Sequence, residues 1–280
     1  MVLAVRESER ESSIQKERRT MADFPEFNRV QKCRRGLVLY NIHDAYFGRS
    51  IELYGEFLEC EIALYDQIVR PGCVVFDIGA NFGGFTLFFA QKVGPTGMVV
   101  AFEPQRVVHQ ALCANMALNS ITNAVCLQMA LGGESGTIVV PQLDFTKPNN
   151  FGGLELGRFS QGEQVEVRTL DSLNFRVCHF IKLDVEGMER DVLTGATETI
   201  ARFKPVMYVE NDRPEKSDEL VRFIDSLGYE MHFHRPPLFN PDNFKGNREN
   251  VFGNIVSLNM LCLPKGSNMT LTGFQRVPVP

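Results

Sequence analysis

From about residue 36 onward, apolar residues gather into short runs separated by stretches of helical spacing. Runs of that kind, rich in Val, Ile and Phe, read as strands, whereas apolar residues three and four apart read as one face of a helix. GLVLYN (36–41) is the first strand, and the stretch from Tyr54 to Ile68 has helical spacing through Phe57, Ile62, Leu64, Tyr65 and Ile68. CVVFDIG (73–79) is the next strand, followed by a glycine turn and a helix over about 84–92. MVVAFEP (98–104) and a helix over about 106–118 repeat the order. AVCLQMAL (124–131) and VEVRTL (165–170) are further strand candidates, and HFIKLDVEG (179–187) is a stronger one. A helix over about 188–203, the strand PVMYVEND (205–212), a helix near 215–227, the strand YEMHFH (229–234) and SLNMLCLP (257–264) complete the series.

Strands alternating with helices predict an α/β fold with a doubly wound, mostly parallel Rossmann-like sheet whose last strand is antiparallel. The charged stretch at 1–20 reads as a disordered tail, with Met21 an alternative start; 21–70 reads as a strand and helix appendage, 71–265 as the main domain and 266–280 as a C-terminal tail. A chain of 280 residues can bury a core of that size as one large domain.

Charge and cysteine usage narrow the classes. The formal net charge is −5 and the basic residues form no long run, which argues against a surface that tracks nucleic acid. Seven cysteines, an odd number and never spaced as Cys-x-x-Cys, suit reduced thiols in the cytoplasm and not a disulfide frame or zinc knuckle. No apolar stretch approaches the ~20 residues of a membrane span.

In doubly wound sheets ligands bind at the carboxyl ends of the strands. The first such end reads VVFDIGANFGGF (74–85), with Asp77, Gly79, Asn81, Gly83 and Gly84. A dinucleotide fingerprint needs glycine at 81, where pyrophosphate approaches bare backbone, and Asp77 adds a charge that phosphates disfavour. A cofactor carrying a sulfonium and an ammonium prefers those same groups, so S-adenosyl-L-methionine fits better than NAD. Glu103 closes the next strand, where an acid meets both ribose hydroxyls. The third strand ends without an acid, at Met129-Ala130-Leu131, and would flank adenine by packing.

The fourth strand is the most unusual. A parallel strand covered on both faces is nearly all apolar, yet IKLDVEG sets Lys182, Asp184 and Glu186 at a spacing of two. Such groups are costly when buried and idle, and they suit a reacting centre where an acceptor hydroxyl must lose its proton. Asp184 as base with Glu186 orienting is the favoured reading. A divalent cation held by Asp184, Glu186 and Glu210 is the other, and the Lys182 ammonium argues against it. His232 and His234 share a strand face and offer a further base, His234 being nearer the strand end. The loop 234–256 carries Phe239, Phe244 and Phe252 among five asparagines. It reads equally as an acceptor lid and as plain turn chemistry.

Taken together, Asp77-Ile78-Gly79-Ala80-Asn81, Phe102-Glu103-Pro104, Ala130-Leu131-Gly132 and Ile181-Lys182-Leu183-Asp184-Val185-Glu186-Gly187-Met188-Glu189 resemble the FkbM-type S-adenosylmethionine-dependent methyltransferases. Asp44, Tyr54-Gly55-Glu56 and Glu61 also resemble that family's pattern. The resemblance implies a class I methyltransferase sheet and O-methylation of a hydroxyl on a glycan or natural product. It also implies a cofactor crevice beside Asp77, Gly79, Ala80, Asn81, Gly83, Glu103, Pro104, Ala130, Asp184 and Glu56. An oxidoreductase on the same sheet and an idle nucleoside-binding protein are the alternatives; slow turnover of bound cofactor separates the latter from an enzyme.

Overall fold

The computed structural model describes residues 26–269 and 271–280, so the charged tail expected at 1–20 and the alternative start at Met21 lie outside the described residues. The elements run β1 (Asn28–Cys33), β2 (Gly36–Asn41), α1 (Phe47–Tyr54), α2 (Glu59–Ile68), β3 (Val74–Ile78), α3 (Gly84–Val93), β4 (Met98–Phe102), α4 (Arg106–Leu118) and β5 (Ala124–Leu127). They continue with β6 (Ala130–Leu131), β7 (Gly136–Val140), β8 (Glu163–Arg168), β9 (Phe180–Leu183), α5 (Glu189–Thr194), α6 (Thr197–Phe203) and β10 (Val206–Glu210). The last four are α7 (Pro214–Ser226), β11 (Tyr229–His234), β12 (Asn259–Pro264) and β13 (Gln275–Arg276).

Eight strands form one sheet in the order β13-β11-β12-β10-β9-β3-β4-β5. From β5 to β10 the pairs are parallel, and β12 runs antiparallel between β10 and β11. The last strand expected from the sequence is therefore antiparallel, as β12, and it lies inside the sheet between β10 and β11. The pleat sorts the core into two layers, because successive side chains on a strand point to opposite faces. Phe76, Ile78, Val100, Phe102, Ile181, Leu183, Met207 and Val209 pack under α5, α6 and α7 through Val192, Ile200, Val221 and Ile224. Val75, Val99, Phe180 and Tyr208 face the other way, against Ile62 and Tyr65 of α2 and Phe85 and Phe89 of α3.

Several boundaries differ from the sequence reading, each for a local reason. The run 124–131 divides: β5 stays in the large sheet, while Ala130–Leu131 joins a three-stranded sheet ordered β6-β8-β7. The helix expected over 188–203 breaks at Gly195, where a Cβ would lie 2.1 Å from the Gly132 carbonyl oxygen. β9 stops at Leu183, so Asp184 and Glu186 belong to a turn and not to the pleat; Glu186 has φ +56°. β1, α1 and β7 are additional to the expected series. Past residue 266 the chain returns to the sheet, β13 pairing with β11 and Val277 being buried. Among the described residues no helix is long and apolar enough to cross a membrane, and all seven cysteines are free.

Candidate active site

A cavity of about 400 Å³ opens over the carboxyl ends of β3, β4, β9 and β10. Its floor begins at the turn after β3. Gly79 has φ +78°, and a Cβ there would stand 1.7 Å from the Asp184 carbonyl oxygen, so only glycine lets the β3 and β9 turns touch. The Gly79 and Ala80 amides both donate to the Phe102 carbonyl at 3.0 Å, which folds the turn onto β4. Asn81 has φ +51° and its amide donates to Glu103 Oε2 at 2.9 Å, while the Gln105 amide donates to Glu103 Oε1 at 2.9 Å. Glu103 is 4 % exposed. Burial pushes its carboxyl up to about 7 against the pull of those two amides and of Lys182.

Asp77 lies beneath this floor. It is fully buried, accepts a 2.6 Å hydrogen bond from the Thr86 hydroxyl of α3 and stands 3.8 Å from Lys182 Nζ. β3 and β9 pair Asp77 directly with Lys182, so the two meet on the α3 face. Lys182 Nζ also donates to the Gly79 carbonyl at 3.0 Å and reaches Asp184 Oδ2 at 3.0 Å. Burial alone would lower the Lys182 ammonium, but Asp184 and Asp77 outweigh it and hold it above its ordinary range.

At the other end stand Asp184, Glu186 and Glu210. One oxygen from each lies within 4.8 Å of the others. Arg213 reaches Glu186 Oε2 at 2.5 Å and also pairs with Asp212. Glu210 Oε2 is buried and, among the described residues, has no hydrogen-bond partner. Burial, then the charges of Asp184 and Glu186, push the Glu210 carboxyl well above its usual range. The turn that carries Glu186 is held by Glu189, whose Oε1 accepts from the Val185 amide at 3.2 Å and the Gly187 amide at 3.0 Å. Non-glycine residues at positive φ cost ~1–3 kcal/mol and persist where the surroundings hold them. Leu58, Asn81 and Glu186 are three such residues, and all three line the cavity.

The cavity brings together Gly79, Ala80, Asn81, Glu103, Pro104, Ala130, Lys182, Asp184 and Glu186 from the residues singled out in the sequence. Four others fall outside its lining. Asp77 is a floor residue that fixes Lys182 and Thr86. Gly83, at φ +86°, sits against Leu112 behind the turn. Glu56 is buried away from the cavity and accepts from Arg34 Nε at 2.7 Å, Asn240 Nδ2 at 2.8 Å and the Phe244 amide at 2.7 Å. His234 is bonded to Tyr208, with the hydroxyl 2.7 Å from Nδ1, and packs on Phe274. His232 Nδ1 is buried without a partner among the described residues, and the residue likewise lies outside the cavity.

The long loop after β11 follows turn chemistry. Asn240, Asn247 and Asn250 accept from amides two residues on, and Asn243 ties to Asn240 and Asn247. Phe239 and Phe252 anchor on Tyr54, whereas Phe244 lies against Gly55 and is exposed. Leu238 and Ile255, not the phenylalanines, reach the cavity.

Glu61 and Asp44 also line the cavity, although their part there was not read from the sequence. Tyr65 donates to Glu61 Oε2 at 2.9 Å and Asn259 to Oε1 at 3.1 Å, while burial pushes the carboxyl up to about 7. An acid one turn before Tyr65 on the apolar face of α2 was the available signal. Asp44 caps α1 by accepting from the Tyr46 and Gly48 amides, both at 3.0 Å.

The charge of the lining tests the cofactor. Asp44, Glu61, Glu103, Asp184, Glu186, Glu210 and Asp212 face only Lys182 and Arg213. Even with burial raising the Glu61, Glu103 and Glu210 carboxyls, acids outnumber bases in the lining, which disfavours a pyrophosphate and suits a cationic sulfonium, so these residues fit S-adenosylmethionine better than NAD.

Comparison with known proteins agrees. The profile described as the Methyltransferase FkbM domain matches residues 77–231. "Methyltransferase 1" of Beauveria bassiana (strain ARSEF 2860) is 28 % identical over 224 residues, covering 70 % of this chain and 90 % of that protein. The "31-O-demethyl-FK506 methyltransferase FkbM" of Streptomyces tacrolimicus is 30 % identical over 204 residues, covering 61 % and 78 %. A solved structure of methyltransferase FkbM from Methylobacillus flagellatus KT aligns with a TM-score of 0.48 at 18 % identity, over 72 % of this chain and 50 % of that one. The β3 turn, Glu103 and the β9 turn all fall within the matched span, and the chain belongs to the FkbM family of S-adenosylmethionine-dependent methyltransferases.

Proposed function

We infer that the chain methylates a hydroxyl oxygen of a small natural product or glycan. The observation that carries this reading is the single cavity joining Glu103 at one end to Asp184, Glu186 and Glu210 at the other. The name of the Streptomyces tacrolimicus relative, which includes 31-O-demethyl-FK506, supports an oxygen acceptor of that class. S-adenosylmethionine, when bound, supplies a methyl group on a sulfonium cation that a nucleophile displaces.

The chain's own residues divide the work. Glu103 accepts hydrogen bonds from the ribose hydroxyls, and the turn Gly79-Ala80-Asn81 presents its backbone to the cofactor. Met129, Ala130 and Leu131 flank the adenine by packing. Lys182 pairs with Asp184 at 3.0 Å and fixes it; the carboxylates beyond it accept a hydrogen bond from the acceptor hydroxyl and orient it, and its proton leaves to them or to water as the oxygen–methyl bond forms. Leu238 and Ile255 form an apolar rim at that end, suited to the carbon skeleton around the hydroxyl.

The test is transfer of an isotopically labelled methyl group from S-adenosylmethionine to a panel of hydroxylated natural products and sugars, followed by mass spectrometry. A labelled methyl ether is expected. Transfer to nitrogen or carbon in acceptors that also carry a free hydroxyl would overturn the oxygen assignment.

A further inference from the structure

Two cations, Lys182 and Arg213, serve five carboxylates in and beneath the cavity. Lys182 lies 3.0 Å from Asp184 and 3.8 Å from Asp77; Arg213 pairs with Glu186 and Asp212. Glu210 has neither, and among the described residues its enclosed Oε2 finds no hydrogen-bond donor at all. An isolated buried carboxylate oxygen is costly, and carboxylates this close repel one another unless positive charge sits among them. The Lys182 ammonium, which the sequence reading set against a metal, is already committed to Asp184, Asp77 and the Gly79 carbonyl. It does not reach the orphaned oxygen.

We propose that Asp184, Glu186 and Glu210 form a divalent-cation site of the magnesium or manganese class at the acceptor end of the cavity. One oxygen from each residue lies within 4.8 Å of the other two, close enough to share one ion after small side-chain adjustments. An all-oxygen set selects a hard cation, not zinc or copper. Three protein oxygens leave the remaining positions of an octahedral ion to water and to the acceptor hydroxyl. A hydroxyl on such an ion gives up its proton to water more readily and meets the methyl donor as a better nucleophile. The site rests on the acceptor-end reading given above, and it adds a ligand to that reading.

The test uses the full chain stripped with EDTA and desalted, then titrated with manganese while electron paramagnetic resonance follows the free aquo ion. Saturable uptake of a single ion per chain, displaced by excess magnesium, is expected. Glu210→Gln, Glu186→Gln and Asp184→Asn should each weaken uptake by roughly tenfold or more, while S-adenosylhomocysteine still raises their melting temperatures and so reports a folded cofactor end. Should Glu210→Gln fail to fold, the other two variants carry the same comparison. No uptake by the wild type at millimolar manganese, or uptake unchanged in the folded variants, overturns the site. Manganese bound at Glu210 without methyl transfer to any hydroxyl would keep the site and sink the acceptor reading. Methyl ether formation without manganese uptake would do the reverse.

Discussion

Replacing Glu103 by alanine tests the cofactor end most directly. The carboxylate receives two amides at 2.9 Å, from Asn81 and Gln105, and it is 4 % exposed. Its remaining lone pairs face the cavity, where the ribose hydroxyls would donate to them. A hydrogen bond to a charged group contributes ~1.5–3 kcal/mol, which corresponds to roughly 12- to 140-fold in affinity. Isothermal calorimetry at pH 8 should therefore find S-adenosylmethionine binding weakened by that factor, with a circular-dichroism melt confirming a folded protein. A pH series sharpens the test. The carboxyl is pushed up to about 7, so its ionised form, which accepts the hydroxyls, dominates above that pH and disappears below it. If only the ionised form binds, the wild-type dissociation constant should rise about tenfold from pH 8 to pH 6. Glu103→Gln, which holds one charge state, should remove that part of the dependence. Affinity unchanged within twofold in Glu103→Ala, or a pH profile identical in Glu103→Gln, would refute the placement of the ribose.

Three further outcomes follow from the same geometry. Asp184→Asn should lower single-turnover methyl transfer by roughly 10²–10⁴ with cofactor affinity retained; near-normal turnover would remove the β9 turn from the chemistry. Leu238→Ala with Ile255→Ala should raise the acceptor's Michaelis constant, whereas Phe244→Ala, at an exposed position, should leave it unchanged; a reversed pattern in steady-state kinetics would return the lid role to the phenylalanine. Glu56→Ala strands Arg34, Asn240 and the Phe244 amide and should cost ~1–3 kcal/mol of stability. It should also speed hydrogen exchange in 240–247, and an unchanged urea midpoint would show that the loop holds without it.

Much of the sheet was legible because its strands are short apolar runs between glycine turns: VVFDI, MVVAF and VMYVE each became a buried parallel strand. Where the sequence misled, a tertiary contact decided. HFIKLDVEG reads as one strand, yet the chain turns after Leu183 because Glu189 reaches back to the Val185 and Gly187 amides. β1 carries no period to read, since most of NRVQKC is exposed. α1 was readable, with Phe47, Ile51 and Tyr54 on one face. The cavity's acids were visible as residue types, but which ones face inward depended on pleat and turn. Asp77 and Lys182, on one face of adjacent strands, compensate each other below the floor, while Glu210 on a neighbouring strand end is left free. No spacing rule separates those fates.

The Glu56 contact also sets an order of events during synthesis. Its partners Asn240 and Phe244 follow it by 184 and 188 residues, so at about 5–20 residues per second the ribosome delivers them roughly ten to forty seconds later. During that interval Arg34 is the only one of these partners that Glu56 has, and α1 and α2 wait without the segment that closes over them. Strands β3, β4, β9 and β10 can pair before the loop arrives, but the rim at Leu238 and Ile255 cannot. A product that stops short of residue 240 therefore leaves Glu56 with Arg34 but without the Asn240 and Phe244 donors that complete its shell.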